Sequence, residues 1–538
     1  MHFLTVKHRI AFIFPVLLIT FSSLVFPAPT KPNIIFVLTD DQRYDEMGFL
    51  NPLLNTPNMD AIANEGVHFE NAFVTTALCS PSRATILTGQ YANTHGVIDN
   101  NAPIREGTVF FPSYLQQAGY NTSFIGKWHM GHTGSKPQPG FDKWVSFTGQ
   151  GHYNADLGNG LTAMFNVDGK AVEQTGYITD ELTDYAIDWL NSLDKDEPFF
   201  LYLSHKAVHA EFEPATRHAQ QYAGETVTLP DNMANTEENY RGKPRWVKDQ
   251  RSSWHGVDFP YHSIRDVAAY KMQYHRTISA VDESLGRLRQ WLIDNQLDEN
   301  TIVILMGDNG FLFGEHGLID KRNAYEESMR VPLIAVGPGF RGGKKVPEVV
   351  ANLDIAPTVL DIAGIASPKH FQGRSFYSLS RGNDLVEPWA SEFAYEYFWE
   401  YNFPQTPTTF AIRTDRYKLI QYHGVWDQEE LYDIVSDPRE MNNLIDDPQH
   451  YEEKIRLRAR LYTLLKNPKG ENSVPYTARL SSGAIYRRQG DQAAQDFPEE
   501  WLMTGEEPRT DLFEGLIPDG PAKKMILKSL KSQLEKTQ

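Results

Sequence analysis

Asp40-Asp41, Lys127 with His129, His205-Lys206 with His209, and Asp308-Asn309 are the side chains in this 538-residue chain best placed for chemistry, because each group follows directly on an apolar run. The runs are residues 33–39, 121–125, 199–203 and 301–306, and a fifth lies at 331–336. The carboxylates and amide after the first and fourth make an all-oxygen set, and hard oxygen ligands suit Ca²⁺ or Mg²⁺ rather than zinc. The lysines and histidines after the other two are anion-binding and proton-transferring types. Any one of these groups alone reads as an ordinary loop residue or helix cap. Four strand-like runs out of five ending in such residues is the pattern that carries weight.

Something must bring these ends together. Continuous apolar runs of this length suit strands buried on both faces, and the stretches 180–193 and 268–295 between them place apolar residues at helical spacing. Alternating strands and helices predict an α/β fold with a large mixed, mostly parallel sheet sandwiched by helices. In such a sheet ligands bind beyond the carboxyl ends of the strands, where the reactive residues stand. After about residue 387 the texture changes to aromatic segments at 409–413, 417–422 and 431–434, punctuated by Ser436-Asp437-Pro438, which predict a smaller C-terminal antiparallel-sheet subdomain. The expected organisation is a signal peptide at 1–28, a catalytic domain at 29–386, an α+β subdomain at 387–480 and a C-terminal extension at 481–538. The extension is polar, with a Lys-rich amphipathic end at 521–538 that reads as a docking or solvated helix.

Composition narrows the function. Hydrophobic residues make up 41% and charged residues 22%, with 38 Gly and 32 Pro, so collagen-like and generally disordered chains are excluded. A net charge of −18 argues against binding nucleic acid or other polyanions through the whole surface, so an anionic substrate must be caught in a local basic pocket. The single cysteine, Cys79, excludes an internal disulfide framework and a cysteine-built zinc site. Lys7, His8 and Arg9 precede the apolar run 10–26, which reads as a secretory signal cleaved near Ala28, with a membrane anchor as the alternative. No other stretch is long enough to span a bilayer, and no cysteine follows the run as a lipid anchor would need. The expectation is a secreted or periplasmic protein without a stable membrane anchor.

Cys79 opens the segment Cys79-Ser80-Pro81-Ser82-Arg83-Ala84-Thr85-Ile86-Leu87-Thr88-Gly89, in which Pro81 and the residues after it start a helix. Cys79 thus stands at a helix N-terminus that favours negative charge, and Arg83 can reach back from one turn on. This C-x-P-S-R-A-x-x-L-T-G segment resembles the signature of type I sulfatases of the alkaline-phosphatase-like superfamily, whose cysteine is oxidised by a separate enzyme to Cα-formylglycine. The resemblance extends over Pro32 to Ile35 with Asp40-Asp41, Gly126-Lys127-Trp128-His129, Gly307-Asp308-Asn309-Gly310, Arg413 to Leu419 and Leu431-Tyr432-Asp433. It implies a hydrated aldehyde whose one hydroxyl attacks sulfur and expels the alcohol, and whose second then loses its proton so that the C–O bond breaks and sulfate leaves, an exit that a thiol lacks. It also implies one Ca²⁺ held by Asp40, Asp41, Asp308, Asn309 and the oxygen at position 79. Gln42 and Arg43 stand where many relatives carry further acids.

The resemblance further gives Lys127 and Lys321 the sulfate oxygens, Arg83 support of the hydrate, His129 its orientation or deprotonation, and His209 protonation of the leaving alcohol. His205 reads as a hydrogen-bonding residue at the sheet edge. The segment from Glu315 to Glu327, with His316 and Arg322, matches the family's active-site rim and supplies candidate sugar contacts, together with His152 and Trp254 in polar, aromatic loops that also include 259–262. Within the family the chain resembles the carbohydrate branch, near glucosamine-6-sulfatases and algal-polysaccharide sulfatases. Its implied partners are a sulfated carbohydrate and a formylglycine-generating enzyme. A phosphoester or phosphonate hydrolase of the same superfamily, or a carbohydrate-binding relative without turnover, are the competing readings.

Overall fold

The structure is a computed structural model that describes residues 31–130, 134–158, 160–258, 266–382, 388–424 and 427–466, together with the backbone of 487–488 and 502–503. The expected signal peptide, the boundary at 386/387, the loop 259–262 and nearly all of the extension 481–538 lie outside the described residues.

Ten strands form one sheet: β1 (Asn33–Thr39), β2 (Val67–Phe73), β3 (Asn121–Lys127), β4 (Lys143–Phe147), β5 (Met164–Val167), β6 (Lys170–Glu173), β7 (Phe199–Ser204), β8 (Thr301–Gly307), β11 (Leu333–Val336) and β12 (Lys344–Ala351), with the small hairpin of β9 (Leu312–Phe313) and β10 (Ile319–Asp320) inserted after β8. Their spatial order is β12-β2-β11-β8-β1-β7-β3-β4-β5-β6. The five apolar runs read from sequence are therefore the five adjacent central strands β11, β8, β1, β7 and β3. Five of the nine neighbouring pairs are parallel, and β11 and the margin β4-β5-β6 supply the antiparallel ones.

β1 shows why the runs are continuous. Ile34, Phe36 and Leu38 enter the core on one side of the sheet, Ile35 and Val37 the core on the other, and all seven residues of the strand are buried. The first core is closed by the helices Cys79–Thr88, Pro112–Gln117 and Ile355–Ile362, the second by Pro57–Glu65, Ile178–Ser192 and Val267–Asp294. At about 1.5–3 kcal/mol for each buried large apolar side chain, strand and helix identities are fixed together by this two-sided burial. Register then sets the site. Leu38 pairs with Ser204 and Met306, and Gly126 also pairs with Ser204, so β1, β3, β7 and β8 end on one edge.

The second sheet is wholly antiparallel, in the order β13 (Glu392–Tyr397), β14 (Thr408–Thr414), β15 (Tyr417–His423), β16 (Glu430–Asp433), with the helix Tyr451–Leu464 against it. Buried charges join it to the loop after β10: Arg413 donates to Glu326 at 2.9 Å, and Lys418 bridges Glu326 at 3.0 Å and Glu440 at 2.6 Å.

Candidate active site

Cys79 is the first residue of a helix whose ten residues are all buried, preceded by Leu78 in extended conformation. The helix thus begins two residues before Pro81, which occupies its first turn, where its missing N–H costs no bond. It ends at Gly89, whose φ of 62° is the left-handed cap that glycine supplies without strain. The Cys79 sulfur lies 3.4 Å from Asp40 Oδ1 and 3.5 Å from Lys321 Nζ. Burial, and next the Asp40 carboxylate, push the thiol up to about 12. It is therefore a protonated thiol at neutral pH and a poor nucleophile as it stands.

Three carboxylates and three cations surround it. Lys127 donates to Asp40 and, at 2.5 Å, to Gln150 Oε1, and Lys321 donates to Asp41. Arg83 Nε donates to Asp308 Oδ2 at 2.9 Å, and its NH1 donates to the Lys127 carbonyl at 2.7 Å and to Ser204 Oγ at 2.6 Å. Asp308 Oδ1 accepts from the Asp41 backbone N–H at 3.1 Å, and Asn309 Nδ2 donates to Asp41 Oδ1 at 2.7 Å. Burial outweighs Lys321 at Asp41 and raises that carboxyl to about 7, whereas Asp40, though desolvated, is held well below the carboxylate range by Lys127.

The fit to a cation rests on atoms left over. Asp41 Oδ2 and Asn309 Oδ1 are buried and without a hydrogen-bond partner, although buried oxygens are normally paired. Ligand atoms of Asp40, Asp41, Cys79 and His209, two carboxylates, a thiol and an imidazole, lie within 4.8 Å of one another, so this cluster can hold a metal ion. Gln42 and Arg43 turn elsewhere: Gln42 Nε2 donates to the Glu46 carbonyl at 3.2 Å, and Arg43 pairs with Asp45 at 2.8 Å and Glu315 at 2.6 Å.

His209 faces the cluster, with Nε2 3.8 Å from Asp41 Oδ2 and Nδ1 2.5 Å from the Ala210 carbonyl. With 15% of its side chain exposed, against 1% or less for Asp40 and Asp41, it marks the side from which the cluster is reached. His129, with a positive φ of 50°, sits beside the first turn of the helix that begins at Cys79, where Ser80 Oγ donates to its carbonyl. Burial, then the Lys127 charge, hold both imidazoles well below their ordinary range and keep them neutral.

Other sequence candidates fall outside this cluster. His205 lies under the sheet with Nε2 3.1 Å from Ser284 Oγ. His316 is buried, stacked on Tyr325 at 4.1 Å and grouped with Glu327 and Glu440 near the small sheet. Arg322 is also buried, donating to Asp320 at 2.5 Å and Glu400 at 2.9 Å. His152 and Trp254 are exposed.

Three residues around the cluster, Gln150, Ser204 and Tyr274, were absent from the sequence reading, and a fourth, Tyr153, was read only within the loop that carries His152. Gln150 binds Lys127, Ser204 binds Arg83, Tyr153 donates its hydroxyl to the His209 carbonyl at 2.7 Å, and Tyr274 donates to the Asp41 carbonyl at 3.0 Å. Gln150 follows β4, a short strand parallel to β3, so the rule that read the other strand ends would have found it. Tyr274 lies mid-helix and carries no such signal.

Comparison with known proteins agrees with this geometry. Residues 32–365 match the family described as Sulfatase, and residues 314–467 match the C-terminal region of N-sulphoglucosamine sulphohydrolase. The chain is 34% identical to an N-acetylglucosamine-6-O-sulfatase of Bacteroides thetaiotaomicron, over 79% of this chain and 85% of that protein. It is 30% identical to the N-acetylglucosamine-6-sulfatase of Capra hircus, over 77% and 80% respectively. A solved structure of a protein in complex with its substrate D-glucosamine-2-N,6-O-disulfate superposes with a TM-score of 0.74 at 32% identity, covering 82% of this chain and 99% of that one. With the first match spanning more than half of its length, this chain belongs to the sulfatase family and is a sulfuric ester hydrolase.

Proposed function

We propose that the protein removes an O-linked sulfate from a carbohydrate, with the 6-sulfate of a glucosamine-type sugar as its first candidate, using residue 79 in its formylglycine form and one divalent cation, Ca²⁺ in preference to Mg²⁺. The sugar is favoured by the two glucosamine-6-sulfatase relatives and by the disulfated glucosamine bound in the similar structure. The observation that carries the mechanism is the convergence of Asp40 and Lys321 on the Cys79 sulfur, 3.4 and 3.5 Å away, inside a balanced set of buried charges.

Asp40, Asp41, Asp308 and Asn309 would hold the cation, which supplies positive charge to the sulfate oxygens and lowers the cost of ionising an oxygen nucleophile. The formylglycine hydrate supplies that nucleophile, with a second hydroxyl through which sulfate is released. The chain's own groups do the rest. Lys127 and Lys321 stand where they can neutralise a sulfate group as charge gathers on it, and their fixed positions spare reorganisation during reaction. Arg83 holds Asp308 and the Lys127 carbonyl in place. His129 accepts a proton beside residue 79. His209 is a neutral base in the free protein, and an arriving sulfate anion raises its affinity for the proton that it passes to the leaving oxygen.

A formylglycine-generating enzyme is the partner this reading needs. An exported protein fits the apolar N-terminal run, and no described helix is long and apolar enough to cross a membrane. The test is the mass of the tryptic peptide spanning residues 44–83 from protein made beside a formylglycine-generating enzyme, paired with sulfate release from N-acetylglucosamine-6-sulfate. A thiol-to-aldehyde change and release that is lost in Cys79→Ala support the proposal. A persistent thiol together with no release overturns it.

A further inference from the structure

Asp40 and Asp41 are consecutive, and an extended chain would send their side chains to opposite faces of the sheet. Here both reach one cluster: Asp40 meets Lys127 and the Cys79 sulfur, Asp41 meets Lys321 and Asn309, and their ligand atoms lie within 4.8 Å of one another. What breaks the alternation is Asp41 itself, whose φ of 58° lies in the left-handed region that an L side chain seldom adopts. Such a turn needs partners that hold it.

Most of its backbone bonds come from the sheet. The Asp40 N–H donates to the Ala207 carbonyl at 3.0 Å, the Val208 N–H donates to the Asp40 carbonyl at 2.8 Å, and the Asp41 N–H donates to Asp308 Oδ1 at 3.1 Å. Past that point Tyr274, in the helix Val267–Asp294, takes over. Its hydroxyl donates to the Asp41 carbonyl at 3.0 Å and accepts from the Arg43 N–H at 2.9 Å. One oxygen thus spans Asp41 to Arg43 and pairs two backbone groups of buried residues, which would otherwise need other partners.

The hydroxyl is carried rigidly. The Tyr274 ring has no exposed surface and meets Phe212 edge-on at 5.1 Å and Phe313 edge-on at 4.9 Å. On the same helix, Lys271 Nζ and His275 Nε2 each lie 3.0 Å from the carboxylate of Glu46, a few residues further along the loop that Asp40 and Asp41 begin. The helix is therefore fastened to this loop at two places. A phenylalanine would fill the same aromatic core, so what the tyrosine adds is the bridge to the turn.

We propose that Tyr274 is a positioning residue for the divalent cation: its hydroxyl holds the left-handed turn at Asp41 and so keeps two consecutive carboxylates on one side of the chain. The proposal rests on the reading of Asp40 and Asp41 as ligands of one ion. It gives a role in ion affinity to a side chain that acts through the Asp41 backbone.

The test is Tyr274→Phe, which keeps the ring and removes one oxygen. Calorimetry of Ca²⁺ binding to EDTA-treated protein should give an affinity about 10–100-fold weaker than that of the wild type. Tyr91→Phe is the control, because Tyr91 is also buried and its hydroxyl accepts from the Ala394 N–H at 3.3 Å. It should lower the thermal midpoint to a similar extent and leave Ca²⁺ affinity unchanged. Unchanged affinity in Tyr274→Phe, or an equal loss in both variants, overturns the proposal. A crystal structure of Tyr274→Phe gives a second readout, in which displacement of the Asp41 carboxylate from Asp40 supports the proposal, and an unchanged φ with the carboxylates still paired overturns it. If the wild type binds neither Ca²⁺ nor Mg²⁺, the cation reading fails, and the crystal structure alone decides whether Tyr274 shapes the turn.

Discussion

Arg83 and Asp308, 225 positions apart in the chain, are fastened to one another without access to water: Nε donates to Oδ2 at 2.9 Å and a second guanidinium nitrogen lies 2.8 Å from the same oxygen. One residue belongs to the helix that carries Cys79, the other to the end of β8. Their pairing sets the distance between Cys79 and the end of β8. Replacing Arg83 by Met keeps the volume and leaves Asp308 buried with one partner fewer, a change that costs about 3–5 kcal/mol in comparable buried pairs. We expect a clear fall in the urea midpoint and loss of turnover. Arg83→Lys, which lacks the planar fork, should recover part of the stability and little of the activity.

Lys321→Ala removes a cation that touches both Asp41 and the sulfur. With the lysine in its proposed role of meeting charge that develops on sulfate, kcat should fall about 10²–10³-fold, with a much smaller change in KM. Steady-state kinetics on a sugar sulfate read this directly, and an effect confined to KM would assign Lys321 to ground-state binding instead.

His209→Gln separates proton donation from the rest of catalysis through the leaving group. A sugar alcohol needs a proton as it departs, so its release should slow about 10²–10⁴-fold. A nitrophenolate leaves unaided, so aryl sulfate hydrolysis should lose far less. Equal losses on both substrates would remove His209 from the acid role.

Chelation should cost both stability and activity. A cation present at about 100 times its Kd stabilises the folded protein by about 2.7 kcal/mol, so EDTA treatment should lower the thermal midpoint by a few degrees and abolish sulfate release. Re-addition of Ca²⁺ should restore both better than Mg²⁺, since the donor set imposes no strict octahedron. Calorimetry of Asp308→Asn, with its weaker ligand, should show a smaller response to the ion.

Remote from the site, Asp282 caps the helix Pro57–Glu65 by accepting from the Asn58 and Met59 backbone N–H groups at 3.0 and 2.8 Å. Burial raises its carboxyl from 3.8 to about 6. The folded state therefore binds this proton more tightly than the unfolded chain, so the contribution of Asp282 to stability is greatest below about pH 4 and declines as pH rises through 6. Asp282→Asn keeps an accepting oxygen without the charge. Its thermal midpoint relative to the wild type should rise between pH 4 and pH 7, an effect of about 3 kcal/mol at most, and a difference that is flat with pH would refute the assignment.

The legible parts of this protein are those where one physical demand acts alone. Burial on both faces makes β1, β7, β8 and β11 largely apolar, and β3 is read from its apolar Phe124-Ile125 despite the polar Asn121 to Ser123, while parallel pairing makes the residues after four of the five neighbours. β13 was not read, because Glu396 interrupts its aromatic pattern, and that acid is buried to accept from Asn93 of the catalytic domain. His316 and Arg322 were read as sugar contacts because the resemblance places them on the rim. In the structure both side chains are buried at the joint between the two sheets and the loop between β13 and β14, a placement that only tertiary packing decides, and their role towards a sugar stays a proposal. His152, Trp254 and the cluster around Cys79 stay proposals of role, now with positions attached.

The helix that begins at Cys79 has no exposed residue, and the sulfur itself has no accessible surface. An enzyme that rewrites this side chain needs the backbone on both sides of it, and the finished sheet offers it neither. On the proposed reading, conversion at position 79 is a race against folding, won while the stretch around it is still emerging or unpaired. A host that folds the chain faster than it processes it would accumulate stable, correctly shaped and permanently silent protein, indistinguishable from the competent form by its melting curve.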